Sequence, residues 1–153
     1  MSEHTLYRDL LLEEYQHPRN AGPMTRPDCS HHEENPLCGD QMTVFLKLDP
    51  KRMHVTDVSF VGRGCVISQA AASLFTEHIK GKTVTEITAM DDATIVRLLG
   101  VTPNPMRMKC AVLVLQTTAK ALAALKVTKE NETPVKVKEK SGEMNKKRIK
   151  KNN

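Results

Sequence analysis

Residues 42–50, Met42-Thr43-Val44-Phe45-Leu46-Lys47-Leu48-Asp49-Pro50, and residues 56–65, Thr56-Asp57-Val58-Ser59-Phe60-Val61-Gly62-Arg63-Gly64-Cys65, decide how this chain is read. In the first piece Met42, Val44, Leu46 and Leu48 recur at every second position, the period of a strand with one buried face. Only Phe45 interrupts the alternation with Thr43 and Lys47. Asp49-Pro50 supplies a turn, and Thr56, Val58 and Phe60 repeat the two-residue period, so the two pieces predict an antiparallel hairpin. Past Gly62-Arg63-Gly64 the period becomes helical. Ile67, Ala70, Ala71, Leu74 and His78 fall on one stripe from about Cys65 to Lys80, and Gly81 stops it.

Upstream of the hairpin, residues 4–16 carry Leu6, Leu10, Leu11 and Tyr15 at near-helical spacing with Glu13 and Glu14 outside the stripe, an amphipathic helix ended by His17-Pro18. Residues 18–37 are rich in Pro, Asn, Gly and Asp and read mainly as loop, with room for one short strand. Downstream, Thr83–Met90 and Asp91–Leu99 read as two short helical turns, the second capped by Asp91 or Asp92. Pro103 and Pro105 then interrupt, and Met108, Val112, Leu115, Ala119 and Leu122 predict a last helix from about Met106 to Leu125. Helix, small meander, then helices imply an α+β domain: a small antiparallel β-sheet with helices packed on one face.

The chain of 153 residues suits one ordinary domain, and a hydrophobic fraction of 39% permits a modest core. An aromatic fraction of 3% with no Trp excludes a base-stacking platform. No apolar run approaches the ~18 residues that span a bilayer, and Met1-Ser2-Glu3-His4 begins no basic-then-apolar leader. A cytoplasmic chain without membrane contact is expected. Its charge is unevenly placed. Residues 126–153 hold 10 Lys+Arg against 4 Asp+Glu, which leaves 13 against 14 for residues 1–125. The chain therefore reads as a near-neutral domain, 1–125, and a basic tail, 126–153, with too few large apolar side chains to fold. The run Lys146-Lys147-Arg148-Ile149-Lys150-Lys151 reads as a solvated, solubilising end, and nucleic acid is not expected as a partner.

Cysteines stand at 29, 38, 65 and 110. None form a C-x-x-C pair, which excludes zinc-ribbon and thioredoxin-like motifs, and a reducing compartment disfavours a disulfide framework. Three of the four sit at breaks. In Cys38-Gly39-Asp40 the glycine lets a thiolate and a carboxylate turn onto one point. Cys65 opens a helix after Gly64. Cys110 lies near the start of the last helix beside Arg107 and Lys109, where helix N-terminus and cations favour the thiolate. Three thiolates and one carboxylate suit a tetrahedral zinc site, or an iron–sulfur cluster with one non-thiolate ligand. The opposing reading, three buried structural cysteines, is outweighed by the placement of all three. Cys29 reads as a loop thiol. His31 and His32, adjacent on a strand, would point to opposite faces. His4, His17, His54 and His78 lack spaced carboxylates and read as surface or capping groups. Gly62-Arg63-Gly64 lacks the third glycine of a dinucleotide loop, and no hydrolase elbow or zinc-deaminase signature occurs.

Tyr7, His17-Pro18-Arg19-Asn20, Asn35-Pro36-Leu37-Cys38-Gly39-Asp40, Gly62-Arg63-Gly64-Cys65-Val66-Ile67-Ser68 with Ala70, and Lys109-Cys110-Ala111 with Leu113 follow one another in a familiar order. Over about residues 5–125 the chain resembles the U-type iron–sulfur cluster assembly family: the N-terminal domain of NifU with its relatives IscU and SufU. The resemblance implies a protein that receives sulfur from a cysteine desulfurase. In scaffold members it also implies building a transient [2Fe–2S] cluster for apo-protein acceptors. It assigns Cys38, Asp40, Cys65 and Cys110 as ligands, and Cys38 or Cys110 as the sulfur acceptor.

Two branches are mixed here. The scaffold branch has His before its third Cys, where this chain has Lys109, and Arg107-x-Lys109-Cys110-Ala111 is similar to the zinc-binding, sulfur-transferring SufU branch. Yet the 44 residues between Cys65 and Cys110 match the scaffold length, without the SufU insertion. Thr102-Pro103-Asn104-Pro105-Met106 also replaces the scaffold branch's chaperone-binding Leu-Pro-Pro-Val-Lys segment. An ammonium group cannot ligate a metal, so Lys109, with Arg107, is expected to modulate the site by offsetting its negative charge. Without metal, Lys109 would pair with Asp40. The leading expectation is a non-catalytic scaffold, and the alternative a zinc-dependent sulfurtransferase partner of the desulfurase.

Overall fold

A computed structural model describes residues 3–135, with side chains for 5–125. The elements are α1 (Glu3–Gln16), β1 (Cys29–Glu34), β2 (Gln41–Leu48), β3 (Val55–Arg63), α2 (Val66–Ile79), α3 (Val84–Thr88), α4 (Asp92–Leu99), α5 (Pro105–Ala111) and α6 (Leu113–Val135). The sheet is antiparallel in the order β1-β2-β3. β2 alternates as its sequence demands: Met42, Val44, Leu46 and Leu48 are buried under the helices while Thr43, Phe45 and Lys47 face the other way. The α+β class and the helices on one face are as expected. Among the described residues no single helix is long and apolar enough to cross a membrane.

α2 is the hub, packing on β3, α1, α4 and α5. Because it has neighbours on several sides, the single predicted stripe fails. Only Ala70 and Ala71 of that stripe are buried, and Ser68, Ala72, Ser73, Phe75, Thr76 and Ile79 join them. Small Ala and Ser side chains let the neighbouring elements approach closely, and burying a side chain the size of Phe75 contributes about 1.5–3 kcal/mol. The predicted β3 face is corrected at Thr56. A register shift between Lys47 and Leu48 pairs Leu48 with Val55, so Val55 is buried beside Val58 and Phe60 and Thr56 is exposed. The outer edge of β3 is not left open. Phe60 N–H donates to Asn20 O and Gly22 N–H to Phe60 O, while Val55 N–H donates to Lys82 O.

Two helices also depart from expectation. α1 turns Leu11 and Glu14 inward, leaving Leu6, Leu10 and Tyr15 exposed. The predicted last helix is two. It breaks at Val112, with about 40° between α5 and the following helix, and α6 runs past Leu125 to Val135. One compact unit reaches Ala123. The remainder of the predicted tail, 136–153, lies outside the described residues.

Candidate metal centre

β1 and β3 run toward one end of the sheet and β2 starts there, as the pairs Glu34↔Gln41 and Gln41↔Arg63 show. The loop between β1 and β2 is organised by Asn35, a buried residue. Its side-chain Oδ1 accepts from Leu37 N–H, its carbonyl accepts from Cys38 and Gly39 N–H, and its own N–H donates to Asp40 O. An Asx turn of this kind uses Asn because the short amide mimics a backbone acceptor. Gly39 then takes φ +77°, a left-handed conformation that other residues adopt at a cost. Reversing the chain here leaves Cys38 exposed and folds Asp40 inward to 5% exposure.

From the adjacent strand end, Cys65 stands at the N-cap of α2 in extended conformation and makes no capping bond. Its thiol instead donates to Asp40 Oδ2 at 3.6 Å. The third cysteine arrives on α5, whose start is fixed by Asn104 accepting from Arg107 N–H at 2.9 Å and by Pro105 in the first turn. Cys110 lies one residue from the end of this seven-residue helix, not near a helix start as expected. At 2% exposure it is also out of reach of water. Burial pushes its thiol pKa well up, and the hydrogen bonds with Cys38 and Asp40 and the negative charge of Cys65 and Asp40 add to the rise. Arg107 and Lys109, expected to favour its thiolate, are exposed side chains of α5, and the causes of the rise do not include them.

Cys38 Sγ lies 3.3 Å from Cys110 Sγ. The donor atoms of Cys38, Asp40 and Cys110 all fall within 4.8 Å of one another, and Cys65 adjoins the group through Asp40. Tetrahedral thiolate sites with bonds of ~2.3 Å hold their donors about 3.8 Å apart, so this spread suits one metal ion or one cluster edge. The donor chemistry suits it too. Thiolate sulfur and carboxylate oxygen are both ligand types that zinc and cluster iron take, and a metal that binds them displaces their protons.

Lys109 does not pair with Asp40; among the described residues no ion pair joins them. Lys109 lines a groove of about 360 Å³ with Glu33, Glu34, Leu37, Val112 and Gln116. Cys29 opens β1 opposite Leu46, at the far end of the sheet, and its thiol is pushed up to about 11, chiefly by burial and then by the Asp28 charge. His31 and His32 diverge as predicted, to Glu33 and Thr43 respectively. His54, expected to lack a carboxylate, has Asp49 at 3.2 Å. Two further motif residues support the site. Asn35 could have been recognised from Asn-Pro turn chemistry, whereas Ser68, 1% exposed with its hydroxyl on Cys65 O, carries no distinguishing signal.

The family model for the NifU-like N terminal domain matches residues 6–132. This chain belongs to the NifU-like family. Relatives of this NifU-like protein include the zinc-dependent sulfurtransferase SufU of Bacillus subtilis (strain 168), 35% identical, covering 78% of this chain and 90% of the relative. The iron–sulfur cluster assembly scaffold protein IscU 1 of Archaeoglobus fulgidus is 32% identical over 76% and 74% of the two chains. Among solved structures, a scaffold protein described as a putative iron–sulfur cluster assembly member of the SUF system from Fervidobacterium islandicum AW-1 superposes with a TM-score of 0.64 at 27% identity, covering 79% and 99%. The family resemblance read from the motifs is borne out, and the NifU-like chain is an iron–sulfur cluster assembly protein whose relatives include both scaffolds and a zinc-dependent sulfurtransferase.

Proposed function

We propose that this NifU-like chain accepts sulfur from a cysteine desulfurase and assembles a [2Fe–2S] cluster, its cargo, on Cys38, Asp40, Cys65 and Cys110 for delivery to apo-proteins. The convergence of Cys38, Asp40 and Cys110 donors within 4.8 Å, with Cys65 3.6 Å from Asp40, carries this reading. The scaffold names of the Archaeoglobus relatives support it.

Accessibility favours Cys38 as acceptor, since it is exposed while Cys110 is buried. Its thiolate forms an S–S bond to the outer sulfur of the desulfurase persulfide. The original S–S bond breaks and the desulfurase cysteine leaves as a thiolate with the electron pair. Nothing is oxidised or reduced in this exchange; ferrous iron and the electrons that take the bound sulfur to sulfide come from outside the chain. Asp40 is the hard donor of the set and the one most readily exchanged on iron or zinc.

A second reading is favoured by Lys109, which stands before Cys110, and by the Bacillus relative: the same four residues hold zinc and the chain works as a sulfurtransferase. An anaerobic absorption spectrum after incubation with ferrous iron, cysteine and a desulfurase separates the two. Charge-transfer bands that survive desalting are expected for the scaffold. A colourless protein with stoichiometric zinc gives the second reading, and neither colour nor zinc overturns both.

A further inference from the structure

Two glycines flank the donor cluster for opposite physical reasons. Gly39 has φ +77° and open space where a side chain would go, so its backbone conformation is what requires glycine. Gly64 does not adopt a left-handed conformation, yet a Cβ there would stand 2.6 Å from Asp40 Cγ, 2.8 Å from Asp40 Oδ1 and 2.6 Å from Ser68 Oγ. Atoms do not approach a methyl carbon that closely, so something would have to move. Ser68 has little freedom to do so: it is 1% exposed and its hydroxyl donates to Cys65 O in the first turn of α2. The Asp40 side chain, by contrast, is held by weakly bonding thiols, Cys65 at 3.6 Å and Cys110, and borders a loop whose Cys38 is exposed. The carboxylate is the part that yields.

We propose that Gly64 is a positioning residue for Asp40: the missing side chain, walled on its other side by Ser68, is the seat in which the Asp40 carboxylate rests against the three thiols. This rests on the reading of Asp40 as a ligand, and deepens it. A methyl group at Gly64 would fill the seat and turn the carboxylate away from Cys38, Cys65 and Cys110. The thiols would remain, and the fourth position would pass to solvent.

The test compares Gly64→Ala, Asp40→Ala and Gly64→Ala/Asp40→Ala with the parent chain, using cobalt(II) and zinc as probes. Cobalt absorption reports the donor set directly, and competition with a chromogenic chelator gives zinc affinity. Gly64→Ala is expected to reproduce the Asp40→Ala cobalt spectrum, with thiolate charge-transfer bands kept and ligand-field bands altered. Zinc affinity should fall ~10–100-fold in both, the scale on which supporting residues act at metal sites. The double variant should lose no more than either single one, because two changes that act through one group do not add. A parent-like spectrum and zinc affinity in Gly64→Ala, or losses that multiply in the double variant, would overturn the proposal. Should Gly64→Ala fail to fold, the double variant decides: folding restored by removing the carboxylate supports the seat, and folding still lost refutes it. If Asp40→Ala itself binds cobalt as the parent does, the ligand reading fails. If Asp40→Ala changes the spectrum and Gly64→Ala does not, only the seat fails.

Discussion

Glu14 and Asp40 are both carboxylates inside the protein, 3% and 5% exposed, and their surroundings could hardly differ more. Glu14 is answered by the chain itself. Ser73 Oγ donates to its Oε1 at 2.5 Å, Arg19 Nη2 lies 3.1 Å from its Oε2, and Arg19 N–H closes the circuit on Ser73 Oγ at 2.8 Å. That network fastens α1 and the His17-Pro18-Arg19-Asn20 segment to α2. Asp40 has thiols about it, and among the described residues no ion pair reaches it. A buried charge needs a partner or leaves its desolvation cost uncompensated. One carboxylate therefore locks the fold, and the other, lying among three cysteines, is the one we propose to receive a metal cation from outside.

Metal binding gives the widest separation of the two regions. Zinc at a hundred times its dissociation constant stabilises a folded protein by about 2.7 kcal/mol, and the parent chain should show the corresponding rise in melting temperature. Cys110→Ser is expected to weaken zinc more than about a hundredfold, each factor of ten being about 1.4 kcal/mol, and to abolish that rise. Cys29→Ser should retain it, because Cys29 begins β1 at the opposite end of the sheet. Glu14→Ala should retain it as well. Calorimetric titration and thermal melts with and without zinc decide the matter. Loss of zinc binding in Cys29→Ser would break the division between the two ends.

Without metal the order of effects reverses. Glu14→Ala takes from the buried Ser73 hydroxyl its acceptor and from Arg19 its ion-pair partner, and should cost about 2–3 kcal/mol in urea unfolding, less than a fully buried pair because Arg19 is half exposed. Asp40→Ala removes a buried carboxyl group that no ion pair reaches among the described residues, and should leave metal-free stability unchanged or raised. Equal destabilisation by the two substitutions would show that Asp40 is a structural group after all.

How much of this could be read from the sequence depends on whether the signal was local. The β2 alternation is local, and so is the turn at Cys38-Gly39-Asp40; both appear where expected, and the three cysteines chosen from their positions at breaks do come to one end of the sheet. β1 was legible only as room for a strand. Cys-Ser-His-His-Glu-Glu has no apolar period, because its half-buried face is completed by the His31–Glu33–Lys120 contacts and not by hydrophobic side chains. The inward turn of Glu14 was hidden for the same reason: its partners, Ser73 and Arg19, are supplied by the fold. Cys110 was misplaced within its helix because the apolar period runs unbroken across Val112, where the backbone ends α5 before α6 begins. Long-range pairing decided the cases of β1 and Glu14, and a single stretch of sequence does not carry it.

Glu33 supplies the mildest test, a carboxylate neither locked nor waiting. Its Oε2 pairs with Lys120 Nζ at 2.5 Å and its Oε1 with His31 Nε2 at 2.9 Å, near the surface. The Lys120 hydrogen bond first, and then that of His31, hold its carboxyl below the ordinary value of 4.5. A carboxylate whose folded-state pKa is lowered adds stability above its unfolded pKa and loses that contribution as pH falls through the folded one. Surface ion pairs contribute about 0–1 kcal/mol. Glu33→Gln should therefore destabilise by less than about 1 kcal/mol at pH 7. The deficit should hold down to about pH 5, close as pH falls below the ordinary carboxylate value, and shrink in high salt. Unfolding curves for parent and variant across that pH range would show it. A deficit that persists undiminished in acid would mean that Glu33 acts through packing and not through charge, which would place it closer to Glu14 than its exposure implies.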